Sequence, residues 1–99
     1  MPLPILLAID DEPLILKALR FAFPAAKIEL RTAANAADGL KAFSESRPDA
    51  VLLDVRLPDQ SGLELFKKLR EIDVKVPVIL MSVLRPNTIM NKCAVAPTS

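Results

Sequence analysis

Two short apolar runs that end in carboxylates set the first limit on how this chain can fold. Leu3 to Ile9 stops at Asp10 and Asp11, and AVLLDV at 50–55 carries a single acid, Asp54. Runs of this length suit strands buried on both faces, as in a parallel sheet. A further run, VPVILMS from Val76 to Ser82, predicts another buried strand. KIELRTA differs, because Ile28, Leu30 and Thr32 alternate with charged residues. That alternation predicts an edge or half-exposed strand.

Helical patterns lie between these strands. Pro13 opens the first, where a missing N–H does no harm. Ile15, Leu16, Leu19, Ala22 and Phe23 share one side of it, and Pro24 stops it. The second is expected from about Asn35 to Arg47, with Ala36, Leu40 and Phe43 inward and Pro48 beyond its end. Gly39 weakens it a little. RLPDQSGLE is a loop entering a third helix, where Ser61 and Glu64 match a capping box. Leu63, Phe66 and Leu69 are its expected buried stripe. The order β-α-β-α-β-α-β implies an α/β fold, a parallel sheet with helices on both faces. Right-handed crossovers then restrict the topology.

The chain has 99 residues, enough for one domain, and 52% of them are apolar, so it can build a core. Thirteen basic and 12 acidic residues leave a formal charge of +1. That balance supplies no footprint for nucleic acid or an acidic membrane. The KKLREIDVK segment is a solvated helix face. One cysteine, Cys93, and no histidine exclude an internal disulfide and a Cys/His metal cluster. A reduced, cytoplasmic setting is the expectation. MPLPILLAI lacks a basic leader and is too short to cross a bilayer.

In a parallel α/β sheet, ligands bind beyond the carboxyl ends of the strands. Asp10, Asp11 and Asp54 stand at such ends. A lone Asp at a strand end is usually a loop residue or a helix cap. An adjacent pair, with another acid inside a run as apolar as AVLLDV, demands a partner. If the two strands are neighbours, their carboxylates converge and need a cation. Oxygen donors without nitrogen or sulfur point to Mg²⁺.

LLAIDDEP at 6–13, VLLDVRLPDQSGLEL at 51–65 and PVILMS at 77–82 together resemble response-regulator receiver domains, the CheY-like modules of two-component signalling. The resemblance covers residues 3 to 82. It implies a doubly wound, flavodoxin-like sheet with strand order 2-1-3-4. It also implies that Asp54 accepts a phosphoryl group from a histidine kinase or phosphotransfer protein. Asp11 is similar to the direct Mg²⁺ ligand and Asp10 to its helper, with the backbone carbonyl of Arg56 as a further ligand. Ser82 stands where the family contacts the phosphoryl group, and Leu57 and Pro58 shape the pocket. Such a module is not an enzyme beyond its own phosphoryl transfer. With no histidine here, the donor must be another protein or a small phosphodonor.

After Ser82 the pattern departs from the family. Residues 1–82 are expected to form the receiver and residues 83–99 an atypical tail without the family's fifth strand and last helix. Lys92 is the only lysine after Ser82 and lacks a strand around it, so the family's lysine has no counterpart. The aromatic of the fifth strand is absent too, while a short helix over Asn87–Cys93 is allowed. A truncated or frameshifted reading and a divergent, genuine C-terminus both fit. Uncovered apolar surface around Val78 and Leu80 would then favour self-association. Two other functions stay open: a receiver that binds partners without switching, and a small Mg²⁺-dependent phosphohydrolase. Arg56, two residues after Asp54, argues against a phosphohydrolase of the haloacid dehalogenase type, which wants an acid there.

Overall fold

The computed structural model describes residues 2–81. Ser82, Lys92 and the short helix expected over Asn87–Cys93 lie outside the described residues. Four parallel strands form one sheet in the order β2-β1-β3-β4. They are β1 (Ile5–Ile9), β2 (Glu29–Ala33), β3 (Ala50–Asp54) and β4 (Val78–Met81), alternating with α1 (Pro13–Ala22), α2 (Ala36–Ser46) and α3 (Gly62–Ile72). The expected flavodoxin-like order is therefore present.

β1 has a hydrogen-bonded neighbour on each side, so both of its faces must be apolar. Leu7 and Ile9 face one way and Leu6 and Ala8 the other, and all are buried. The strand begins at Ile5 rather than Leu3. Pro4 has no N–H to give, though its carbonyl accepts from Glu29 N–H at 2.9 Å. The Ile5 N–H is taken by the Asp49 carboxylate at 2.7 Å. β2 lies at the sheet edge, as its alternating pattern predicts.

Right-handed crossovers fix the layers. The chain moves one way from β1 to β2 and the other way from β2 to β3 and from β3 to β4. α1 therefore covers one face, and α2 and α3 the opposite one. The larger core fills the α2/α3 side, where Leu7, Ile9, Val51, Leu53, Val78 and Leu80 meet Ala36, Phe43, Leu65 and Leu69.

This arrangement corrects two expectations. Val78 and Leu80 are not a bare surface but part of that core. Strand alternation turns Ile79 and Met81 to the α1 side instead, where they are half-buried. On α3 the buried stripe runs through Gly62, Leu65 and Leu69, with Phe66 beside it, while Leu63 is 50% exposed. Leu65 and Leu69 are four apart and share a face; Leu63 lies two before Leu65, on the other side.

The helix ends follow their sequence signals with one difference. Pro13 occupies the first turn of α1 behind Glu12, whose carboxylate accepts from Leu14 N–H at 3.4 Å. Asn35 caps α2 by accepting from Asp38 N–H at 2.8 Å. At α3 the Ser61 hydroxyl accepts from Leu63 N–H at 3.1 Å, and Glu64 N–H donates to the Ser61 carbonyl instead. The reciprocal capping box does not form. α2 ends at Arg47, the one non-glycine residue with positive φ among those described, at 48°. Pro48 disfavours the right-handed helical conformation for the residue before it, which gives that position its reason.

Candidate functional site

β1 and β3 run parallel side by side, and the register pairs Ile9 with Leu53. Their next residues, Asp10 and Asp54, therefore leave the sheet at the same level. Asp11 follows at once. The three carboxylates each bring an oxygen within 4.8 Å of the others. The sequence expectation of convergence is met, and parallel pairing is the cause: it puts the carboxyl ends of both strands at one edge.

The three acids differ in environment. Asp10 is 1% exposed, the only buried charged residue among those described. Its own N–H donates to the Ala33 carbonyl at 3.0 Å, and its Oδ1 accepts from Glu12 N–H at 2.9 Å. Burial raises its pKa to about 6, the Glu12 N–H opposes that rise, and the neighbouring Asp54 and Asp11 add to it. Asp54 is half-buried and Asp11 exposed. Arg56 N–H donates to Asp54 Oδ1 at 3.0 Å and so orients the carboxylate.

Three like charges at this spacing, one of them desolvated, are stabilised by a proton or a cation. The donor set is all oxygen, which fits a hard divalent ion such as Mg²⁺. Asp10, Asp11 and Asp54 are placed to hold one; Arg56 lies on the adjoining loop with an exposed side chain. Leu57 is half-buried against the core, and Pro58 is exposed at the turn. Ser82 lies outside the described residues.

Two residues that sequence reasoning passed over shape this site. Gly62 begins α3 with its backbone pressed on the end of β3. A Cβ there would fall on the Asp54 carbonyl oxygen and 2.8 Å from Val55 Cα. Its N–H donates to the Val55 carbonyl at 2.8 Å, closing the loop that starts beyond Asp54. The signal was available, since the chain has only two glycines and this one follows a helix cap. Asp59, at the tip of the same loop, accepts from Ala36 N–H at 2.8 Å and Ala37 N–H at 3.0 Å. No local pattern announces a contact made across 22 and 23 residues of sequence.

Comparison with known proteins agrees with this fold. The family described as "Response regulator receiver domain" matches residues 6–97, so the chain belongs to that family. The match continues beyond Ser82, where the quoted motifs end. KdpE of Mycobacterium tuberculosis, a transcriptional regulatory protein, is 42% identical over 78 residues, covering 79% of this chain and 34% of KdpE. The regulatory protein AtoC of Escherichia coli is 35% identical over 77 residues, covering 78% of this chain and 17% of AtoC. The chain thus spans about a third of KdpE and about a sixth of AtoC. Among solved structures, the response regulator TrrA of Thermotoga maritima, in complex with Mg²⁺ and BeF, is 32% identical. It superposes with a TM-score of 0.75 over 81% of this chain and 70% of TrrA. A receiver domain protein from Clostridium thermocellum gives 30% identity and a TM-score of 0.74, over 81% and 65% of the two chains. No helix among the described residues is long and apolar enough to cross a membrane.

Proposed function

We propose that this chain is a phosphoacceptor receiver in which Asp54 takes a phosphoryl group from a phosphohistidine of a kinase or phosphotransfer protein. One observation carries the reading: the acidic trio stands where two adjacent parallel strands end. An Asp54 carboxylate oxygen attacks phosphorus, the N–P bond breaks, and the donor imidazole leaves, giving an aspartyl phosphate. Asp10, Asp11, Asp54 and the Arg56 carbonyl would hold Mg²⁺, which when bound neutralises charge on the transferring oxygens. Ser82 would contact the phosphoryl group. The setting for this exchange is the cytoplasm, with no direct contact to nucleic acid. The receiver unit is taken as residues 1–82, with 83–99 as its atypical tail.

A second reading keeps the acceptor but not the switch. It is favoured by the sequence after Ser82, where Lys92 is the only lysine. In that case the chain accepts phosphate and binds partners or itself without a change of surface. The phosphohydrolase reading has nothing further in its favour.

The test is incubation with acetyl phosphate and Mg²⁺, followed by intact mass measurement. The wild-type chain is expected to gain one phosphoryl group, Asp54→Ala none, and omission of Mg²⁺ to abolish the gain. Equal labelling of wild type and Asp54→Ala would sink the proposal. Steady release of phosphate from a general phosphate ester would favour the hydrolase instead.

A further inference from the structure

We propose that Asp59 is a positioning residue for the cation site, acting through the loop that carries Arg56. The inference rests on the receiver reading above and concerns how that site is held in shape.

The loop from Val55 to Ser61 leaves β3 directly after the acceptor. Its ends are closed on each other: Gly62 N–H donates to the Val55 carbonyl, and Arg56 forms an antiparallel bridge with Ser61. A closure at the base leaves the tip free to tilt about it. Two described contacts tie the tip outward: a long one at 3.4 Å, in which Gln60 Oε1 accepts from Lys68 Nζ of α3, and the shorter pair that Asp59 makes with α2. Both Asp59 carboxylate oxygens are engaged, one by Ala36 N–H and one by Ala37 N–H.

Those donors are the first two N–H groups of α2, which have no partner within their own helix. Asn35 satisfies the third, from Asp38, and leaves the first two open. The positive end of the helix dipole adds to the attraction for a carboxylate. Asp59 is thus a remote complement to the local cap. It ties the loop after β3 to the helix after β2, across the carboxyl edge of the sheet where the acids stand.

The consequence falls on Arg56, three residues before Asp59. Its N–H orients Asp54, and its carbonyl is the proposed metal donor. Loss of the α2 tether would let the loop tilt on its Arg56–Ser61 bridge, and that tilt would disturb both contacts. The Asp10 carboxylate would stay in place, because the bond of its N–H to the Ala33 carbonyl and the Glu12 N–H fix it apart from this loop.

The experiment compares Asp59→Ala, Asp59→Asn and Asn35→Ala with the wild-type chain. Mg²⁺ affinity is read by calorimetry with the metal alone, and folding by thermal melting. Asp59→Ala is expected to weaken Mg²⁺ binding by about 10-fold, the scale for residues that orient metal ligands. Its phosphorylation by acetyl phosphate should slow at limiting Mg²⁺ and recover when Mg²⁺ saturates. Asp59→Asn keeps one acceptor oxygen and should recover most of the affinity. Asn35→Ala removes the local cap of the same helix and should lower the melting temperature without weakening Mg²⁺ binding. Equal affinity for Asp59→Ala and wild type would reduce Asp59 to a helix cap and overturn the inference. So would an Asn35→Ala chain that loses as much affinity as Asp59→Ala, since general loosening of α2 would then suffice. A wild-type chain that binds no Mg²⁺ overturns the receiver reading along with the inference.

Discussion

Asp10 carries the sharpest consequence at the scale of single residues. Its carboxyl is raised from 3.8 to about 6, so the folded chain binds this proton more tightly than the unfolded chain. Between those values the native state holds more protons, and stability must fall as pH rises. Metal-free protein is therefore expected to lose on the order of 2 kcal/mol from pH ~4 to pH ~7 on account of this group. Asp59 has the opposite sign: its carboxyl is lowered, first by the Ala36 N–H, so its contribution is present at neutral pH and lost only below about pH 4. The two windows do not overlap. Urea unfolding midpoints at several pH values in a chelator, for wild type and Asp10→Asn, check this. The variant should lose the decline. A decline of equal size in both chains would show that Asp10 is not its source. Excess Mg²⁺ should flatten the wild-type curve, because the cation offsets the charge that burial disfavours.

The helices show where local preference and packing part company. Gly39 reads as a weak point in α2, and by propensity alone Gly39→Ala should stabilise by about 1 kcal/mol. The packing reverses the sign. A Cβ at Gly39 would stand 2.7 Å from Ile9 Cδ1 and 3.0 Å from its Cγ1 and Cγ2. Ile9 is fully buried in the central strand, and two of the three close atoms sit on its stiff β-branch, which cannot swing aside as Cδ1 can. Gly39→Ala is therefore expected to destabilise by about 1–3 kcal/mol, the usual result of overpacking. A higher denaturation midpoint for the variant would show that α2 lifts away freely. Gly62 follows the same logic more severely, since a Cβ there meets backbone rather than a side chain. α3 teaches a related lesson: Leu63, Leu65, Phe66 and Leu69 offer more than one apolar stripe, and only the sheet beneath selects Leu65 and Leu69.

At the scale of the whole molecule, the two faces of the sheet are unequal. α2 and α3 cover one face and bury Phe43, Leu65 and Leu69 there, whereas α1 contains no buried residue. Phe21 of α1 is 86% exposed, and Ile15, Leu16 and Leu19 are only half-buried. Local stability follows buried contact. Native-state hydrogen exchange should therefore find the slowest amides in β1 and β3, which are bonded on both sides. Among the three described helices, α1 should exchange fastest. Protection of α1 equal to that of α3 would mean that its apolar side is covered more fully than its contacts indicate. Any self-association would accordingly use the α1 side, where Ile79 and Met81 face, and not Val78 and Leu80.

Much was legible in the sequence because it depends on short-range chemistry. Fully apolar runs require burial on both faces, so β1, β3 and β4 and their parallel pairing could be read directly. Prolines and small polar caps mark helix ends through the backbone groups they withhold or satisfy, which placed α1 and α2 within a residue or so. Carboxylates at strand ends announced the acidic site, since an acid in an apolar run needs a partner. The rest required contacts between distant segments. Which leucines of α3 are buried, why Gly39 and Gly62 must lack side chains, and which face of β4 joins the core all depend on what lies opposite. Asp59 is the clearest case: in sequence it is one acid in a polar loop, and only the fold brings it to the first N–H groups of α2. Periodicity reports that a face exists, but close packing of particular atoms decides which face is used.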